Sequence, residues 1–313
     1  MFFRRAIIFT KTTGGENMKK IRREIRYAVP VILTASLLAI LPNIRGEKTP
    51  PAETSAVVFR VGDETELFCE NADARVAPAS LTKLLTACAA LCYISSDEVF
   101  TVGTEQELLP SGSSVCLISE GQRLTLYDLI TGMLMVSGND AAYTVAASTA
   151  RRIGGEAMSD HDAIEYFCGL MNKFAGRLGM KDSRFNTPDG SDSAGQYTTA
   201  NDLRILTEYA LSVPEIREIV SERERYVVFE SGENITWRNS NRLLDPDDEF
   251  YCETAVGLKT GTTPKAGCCL IAAFEVNGGT YISVVTGCSS DSERYSYTLE
   301  YYGKYVEKNS KSP

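Results

Sequence analysis

Histidine is almost absent from this sequence, and its cysteines form no familiar metal-binding or redox pattern. His161 is the only histidine among 313 residues, and the nine cysteines include no C-x-x-C pair. A zinc site needs several Cys or His ligands at characteristic spacing, and a regular disulfide framework needs an even number of cysteines. We therefore expect no metal, no cofactor and buried thiols that act as small hydrophobic groups. His161 precedes a predicted helix, where we expect a solvated or capping role.

The body of the chain also lacks positive charge. The protein carries a net charge of −9, but residues 1–48 contain ten Lys/Arg and three Asp/Glu, so the remainder carries −16. An acidic body argues against a nucleic-acid partner. The length and a hydrophobic content of 43% predict a sizeable core, in one large domain or two small ones.

Positive charge is concentrated ahead of one short apolar run. Five basic residues between Lys19 and Arg26 precede the run from Tyr27 to Leu41. This pattern indicates either an uncleaved membrane anchor with its basic side in the cytoplasm, or an export signal. The run is short for a membrane span, and no clear cleavage site follows it, so both alternatives stay open. In either case we expect the body on the extracytoplasmic face of the cell membrane, or secreted if the signal is cleaved.

The order of predicted elements indicates a single α/β (α+β) domain behind a linker. We assign residues 1–46 to the basic N-terminal segment, 47–54 to the linker, 55–308 to the domain and 309–313 to a tail. Strands are predicted at 55–61, 66–70, 225–230, 234–238, 256–260, 268–276 and 280–287. Helices are predicted from residue 80 onward and at 125–136, 140–150, 162–178, 199–211 and 290–306. Strands at both ends of the domain predict an antiparallel sheet built from both.

One lysine lies in a segment that otherwise predicts a buried helix. From Leu81 onward, apolar residues recur at helical spacing, and the other faces are small or uncharged apart from Lys83. A buried lysine is rare without a partner or a task, and Ser80 lies one turn earlier on the same face. Burial favours the neutral amine, which can take the proton of a serine hydroxyl. Ser80 and Lys83 are therefore predicted to be a nucleophile and its base.

Two further short motifs stand out. Ser137-Gly138-Asn139 lies in a break between two predicted helices, and Lys259-Thr260-Gly261 lies on a predicted strand. Each motif alone is weak, but their order and separations make a coincidence improbable. The trio S-x-x-K, S-x-N and K-T-G resembles the serine penicillin-binding proteins and serine β-lactamases. The resemblance extends to the low-molecular-mass D-alanyl-D-alanine carboxypeptidases and covers about residues 50–305. Four stretches carry it: residues 77–83, 137–142, 239–244 and 257–267.

The resemblance implies a β-lactamase/transpeptidase-like fold, in which helices cover a five-stranded antiparallel sheet and form an all-helical subdomain on one side. It implies a serine-type carboxypeptidase that removes the terminal D-alanine from peptidoglycan stem peptides ending in D-Ala-D-Ala. The reaction passes through an acyl-enzyme, and β-lactam antibiotics acylate the same serine. The membrane is a further expected partner through the N-terminal segment.

The resemblance also assigns roles around the serine. Ser137 relays a proton to the leaving amine, and Asn139 contacts the substrate amide. The backbone N–H groups of Ser80 and Thr262 form the oxyanion hole.

The third motif is expected to bind the substrate's C-terminus. Lys259 supplies positive charge near Ser137 and the substrate carboxylate, which Thr260 and Thr262 bind through hydrogen bonds. Gly261 allows the substrate backbone to lie against the strand edge.

Two alternatives stay open, a β-lactamase and a penicillin-binding sensor without turnover. Class A β-lactamases have Ser-Asp-Asn where this chain has Ser-Gly-Asn, and we find no convincing glutamate motif between Asn186 and Thr198. A sensor would need a second domain to receive its signal, and none is predicted. The sequence also departs from many relatives at Pro188-Asp189-Gly190, where they have P-H-G, so the loop's role in deacylation is undefined.

Overall fold

The structure, a computed structural model, describes residues 53–63 and 65–308. The predicted anchor or signal, most of the predicted linker and the tail lie outside the described residues. Within the described part of the chain, no helix has the length and apolar character that crossing a membrane requires.

A five-stranded antiparallel sheet forms the centre of the domain, in the order β2-β1-β9-β8-β7. Its strands are β1 (Ser55–Arg60), β2 (Glu66–Glu70), β7 (Ala255–Thr263), β8 (Gly267–Val276) and β9 (Gly279–Cys288). Ser55 of β1 pairs with Thr286 of β9, so the first strand completes a sheet made mostly by the last three. This confirms the predicted sheet, to which both ends of the domain contribute.

Two small hairpins and seven α-helices complete the described residues. The hairpins pair β3 (Val99–Thr101) with β4 (Arg123–Thr125), and β5 (Glu224–Val228) with β6 (Asn234–Arg238). The helices are α1 (Thr82–Leu91), α2 (Leu126–Met135), α3 (Asn139–Gly154), α4 (Asp160–Leu178), α5 (Ala200–Ser212), α6 (Pro214–Ser221) and α7 (Asp291–Tyr301). A π-helical segment, Tyr302–Glu307, follows α7.

Local sequence signals explain most helix ends. Thr125 accepts a hydrogen bond from the backbone N–H of Asp128 at 3.0 Å, and the Asp128 carboxylate accepts one from the Thr125 N–H at 3.3 Å, which forms the predicted capping box. Gly179 ends α4 in the left-handed conformation, with φ of 97°. Helix α4 begins at Asp160, two residues before its predicted start, because Ser159 caps it. His161 lies in the exposed first turn of this helix.

Helix α1 occupies the middle of the core, as its apolar pattern predicts. Every residue from Thr82 to Ala90 is buried, and the helix packs against α2, α3, α4 and α5. The cysteines fit their predicted role only in part. All nine are unpaired and five are buried, but Cys69 and Cys92 are exposed.

Candidate active site

Ser80 and Lys83 meet where a 3₁₀ turn runs into the buried helix. Ser80 lies in the turn Ala79–Leu81, and α1 follows directly, so the two side chains are one turn apart. The Nζ atom of Lys83 lies 2.8 Å from Oγ of Ser80. Ser80 is partly exposed, whereas the exposed fraction of Lys83 is 0%. The hydroxyl can therefore meet a substrate while the amine stays out of water.

The Lys83 amine has two further hydrogen-bond acceptors. It donates to Oδ1 of Asn139 at 2.7 Å and to the backbone carbonyl of Asp189 at 3.0 Å. Burial lowers the pKa of Lys83 from its ordinary value of 10.5 to about 8, although the carboxylates of Asp189 and Asp140 oppose this shift. A substantial neutral fraction of the amine therefore exists near neutral pH, as a general base requires.

The second motif lies in the short break between α2 and α3. Ser137 has φ of 62° and is partly exposed, and Asn139 opens α3. Asp140 anchors the facing loop, because its carboxylate accepts hydrogen bonds from the backbone N–H groups of Cys116 at 2.9 Å and Ile118 at 3.3 Å. Ser137 therefore lies in a strained backbone conformation two residues before the start of α3.

The third motif lies on the edge strand of the sheet, against the turn that carries Ser80. Strand β7 continues to Thr263, three residues beyond the predicted end, so Gly261 and Thr262 belong to it. A Cβ atom at Gly261 would lie 3.1 Å from the backbone nitrogen of Ser80. Glycine lets this edge approach the nucleophile closely.

Lys259 belongs to the same strand, and its side chain is buried, with an exposed fraction of 1%. Its amine donates to the backbone carbonyl of Thr260 at 3.0 Å. Burial holds the pKa of Lys259 well below its ordinary value, and the charges of Lys83 and Arg294 lower it further. The Thr260 hydroxyl lies 3.1 Å from that of Ser240, which ties the strand to the segment after β6.

A cleft of about 370 Å³ separates the second motif from the edge strand. Its lining includes Ser80, Asn139, Ser114, Asp189 and Thr262. Ser80, Asn139 and Thr262 thus place parts of the first two motifs and the residue after the third on one cleft, whereas Ser137 is not among the lining residues. No group of three or more His, Cys, Asp or Glu side chains in the described residues could hold a metal.

Arg294, on α7, supports the edge strand from behind and is 7% exposed. Its Nη1 atom donates to the carbonyls of Gly261 at 3.1 Å and Cys269 at 3.2 Å, and to the Thr262 hydroxyl at 3.2 Å. Its Nη2 atom pairs with Asp291. This buried cation therefore stands directly behind the strand that carries the third motif.

The loop that contains Asp189 closes the site on its other side. Gly190 has φ of 85°, and a Cβ atom there would lie 1.8 Å from the Ala79 carbonyl oxygen, so only glycine fits. Thr86 of α1 donates to the Pro188 carbonyl at 2.6 Å. The loop is thereby fastened to the turn and helix that carry Ser80 and Lys83.

Comparison with known proteins assigns the chain to a family. Residues 51–290 match the D-alanyl-D-alanine carboxypeptidase family of peptidases. The chain belongs to this family. It is 33% identical over 236 residues to D-alanyl-D-alanine carboxypeptidase DacC of Escherichia coli, and the match covers 72% of this chain and 54% of that relative. The chain thus spans about half the length of this relative.

Solved structures confirm the fold. The Streptomyces K15 DD-transpeptidase superposes with a TM-score of 0.72 at 26% identity, over 80% of this chain and 96% of that one. Penicillin-binding protein D2 of Listeria monocytogenes, solved in its ampicillin-bound form, superposes with a TM-score of 0.65 at 28% identity, over 80% of this chain and 96% of that chain. The predicted β-lactamase/transpeptidase-like fold is confirmed.

Sequence reasoning missed the contributions of two residues to this carboxypeptidase-family site. Arg294 lies outside the three motifs, and its only sequence signal is an arginine in the first turn of a predicted helix. Asp189 was recognised only as a departure from the P-H-G pattern. Pro188-Asp189-Gly190 predicts a tight turn, but a turn signal does not show that the aspartate is buried, so only the fold reveals this.

Proposed function

We propose that this protein is a serine-type D-Ala-D-Ala carboxypeptidase, which removes the terminal D-alanine from peptidoglycan stem peptides. One observation carries the proposal: a fully buried lysine amine lies 2.8 Å from a partly exposed serine hydroxyl, at the edge of a cleft. Membership of the carboxypeptidase family supports the choice of reaction. The relatives' names supply the substrate class.

Acylation begins with a proton transfer inside the Ser80–Lys83 pair. A neutral amine has two N–H groups, which donate to Asn139 and to the Asp189 carbonyl, and a lone pair that accepts the Ser80 proton. The serine oxygen then bonds to the carbonyl carbon of the penultimate D-alanine. The backbone N–H groups of Ser80 and Thr262 stabilise the resulting oxyanion.

Collapse of this intermediate breaks the bond to the terminal D-alanine. The Lys83 ammonium group returns the proton it took from Ser80 to the departing amine through the Ser137 hydroxyl, and water later hydrolyses the serine ester. Lys259, Thr260 and Thr262 bind the terminal carboxylate, with Arg294 behind Thr262. Since the protein is acidic overall, only a local group of this kind can attract an anionic C-terminus. Asn139 orients the substrate amide from the opposite wall of the cleft.

We further propose that β-lactams acylate Ser80, because a β-lactam offers a strained amide and a carboxylate to the same groups. Action on peptidoglycan requires a domain on the extracytoplasmic side. We assign that domain to residues 55–308 and propose that residues 1–46 anchor or export it. The basic flank and apolar run in the sequence support this assignment.

Turnover of a defined peptide tests the proposal. The full chain is incubated with diacetyl-L-Lys-D-Ala-D-Ala, and free D-alanine is measured over time, with the Ser80→Ala variant as the control. We expect many equivalents of D-alanine per chain and none from the variant. A single burst without turnover would identify a sensor, and rapid hydrolysis of penicillin without D-alanine release would identify a β-lactamase. Either result would overturn the proposal.

A further inference from the structure

A buried carboxylate without an ion pair lies beside the catalytic lysine. Asp189 is 1% exposed, and its carboxylate accepts hydrogen bonds only from the backbone N–H of Ser191, at 3.1 Å, and from the Ser191 hydroxyl. No arginine or lysine of the described residues forms an ion pair with it at hydrogen-bonding distance. A buried charge without a partner is costly, so it calls for a physical reason.

The Lys83 amine lies 3.0 Å from the backbone carbonyl oxygen of Asp189, which brings the carboxylate of the same residue close to that amine. The carboxylate also faces α3 and α4, because burial raises the pKa of Tyr143 and of Cys168 and the Asp189 charge contributes to both shifts. At Lys83 on α1 the two influences oppose each other, since burial lowers the pKa and Asp189 is the largest charge that raises it. Neither the phenol nor the thiol provides a positive charge. Lys83 is therefore the cation that Asp189 can stabilise.

The other charged groups that face Lys83 stabilise its ammonium form less or oppose it. Asp140 also raises the pKa of Lys83, but less than Asp189 does, and its carboxylate accepts hydrogen bonds from the backbone N–H groups of Cys116, Ile118 and Ala141. Burial holds the pKa of the Cys116 thiol well above its ordinary value, so it carries no charge near neutral pH. Lys259, on the far side, repels a second ammonium group.

Acylation creates a positive charge on Lys83 that the Asp189 carboxylate can stabilise. When Lys83 takes the Ser80 proton, a neutral amine becomes an ammonium group on a side chain that is fully buried. We propose that the Asp189 carboxylate is a positioning residue that acts as the counter-charge of this ammonium group, and thereby keeps Lys83 a strong enough base. The inference rests on the proposed function of Ser80 and Lys83, and Asp189 acts on the reaction through Lys83.

The pH profile of acylation tests this role. Acylation by a fluorescent penicillin is followed between pH 5 and 10 for the unchanged full chain and for Asp189→Asn. Removal of the carboxylate lowers the pKa of Lys83, so the acidic limb is expected to move by about one pH unit to lower pH. The rate on the alkaline plateau is expected to fall about three- to tenfold, because a weaker base remains. An acidic limb at its original position would overturn the inference.

Two further variants separate charge from structure. Asp192→Asn removes a carboxylate from the same loop, but Asp192 is exposed and bonds to Thr263 and Lys265, so the acidic limb should stay in place. Asp189→Glu keeps the charge and should retain more of the original profile than Asp189→Asn. A shift of equal size in Asp192→Asn would show that loop structure or net charge is responsible, and would contradict the inference.

A measurement on the unchanged protein tests the same inference without a substitution, so its result does not depend on whether a variant folds. Protonation of Lys83, followed through its Cε resonance, should also move the carboxyl ¹³C resonance of Asp189, since a charge that forms beside this carboxylate changes its shielding. No response of the Asp189 resonance over the pH range in which Lys83 is protonated would overturn the inference. Neither readout requires D-alanine release, so a failure of the proposed peptidase activity is distinguishable from a failure of the Asp189 role.

Discussion

Burial lowers the pKa of Lys259, and the charge of protonated Lys83 lowers it further; the two side chains are 1% and 0% exposed. Two ammonium groups held out of water near each other are unfavourable, because each lacks hydration and repels the other. Simultaneous protonation of Lys83 and Lys259 is therefore unfavourable. A substrate carboxylate or a transferred proton changes this balance, and the predictions below follow from it.

Acylation should depend on the unprotonated form of Lys83. Because the pKa of this amine is about 8, the acylation rate should rise with pH through that value and fall about tenfold for each unit below it. Replacing Lys83 with alanine should reduce acylation by roughly 10²–10⁴-fold at neutral pH while the fold is kept. Fluorescent penicillin labelling and thermal unfolding measure the two effects. Near-normal labelling of the variant would exclude Lys83 as the base.

Lys259 should matter more for a free C-terminus than for a capped one. A bound carboxylate favours the protonated amine, and a charge-assisted contact in a partly desolvated groove contributes about 1.5–3 kcal/mol. Lys259→Ala should lower kcat/KM for the D-Ala-D-Ala acid at least about tenfold. The corresponding C-terminal amide should be affected much less. Equal losses for acid and amide would show that Lys259 serves proton transfer through Ser137 instead.

Arg294 should contribute to both carboxylate recognition and stability. Arg294→Leu removes a buried donor from Thr262 and from two backbone carbonyls, so we expect about a tenfold loss of kcat/KM for the acid and a lower Tm. Arg242 is a matched control, because it also stacks on Tyr295 and pairs with Asp291, but among the described residues its guanidinium forms its hydrogen bonds with Asp248, Glu249 and Asp291 and not with the edge strand. Arg242→Leu should lower Tm and leave the preference for the acid unchanged. The account fails here if both variants lose that preference equally.

Gly261→Ala should impair chemistry more than folding. The added methyl group would meet the backbone nitrogen of Ser80 at 3.1 Å, so the strand must move away from the oxyanion hole by a few tenths of an ångström. Loss of an aligned oxyanion donor typically costs 10²–10³-fold in rate, and a partial shift should cost at least about tenfold. Gly169→Ala on α4, where no atom lies within 4 Å, should keep full acylation and add about 0.5–1 kcal/mol of stability. Unimpaired acylation in Gly261→Ala would remove the strand from the proposed oxyanion hole.

Much of the sheet and the three motifs could be predicted from the sequence, because their signals are local. Helix α1 is apolar, small or uncharged on every face apart from Lys83, and Thr125 and Asp128 form a capping box within four residues. Periodicity and capping of this kind depend only on neighbouring residues. They predict that Lys83 is buried before its partners are known.

The features that escaped prediction depend on contacts between distant segments or on very short elements. Helix α6 starts with Pro214, two residues after α5 ends, so its short helical pattern is not separated from that of α5 and no second helix is predicted. Strand β3 has only three residues, too few for a recognisable alternation. Arg294 meets its strand from 32 positions away, and Asp189 is 106 positions from Lys83. No window of sequence contains both partners of such contacts, so only the fold reveals them.

The most direct test of the account is the site of covalent attachment by a β-lactam. The full chain and the Ser80→Ala variant are incubated with benzylpenicillin, and intact mass and peptide mapping are measured. We predict one penicilloyl group per chain, on the peptide that contains Ser80, and no adduct on the variant. An adduct at any other residue of the unchanged protein, or undiminished labelling of the variant, would contradict the assignment of Ser80 as the nucleophile.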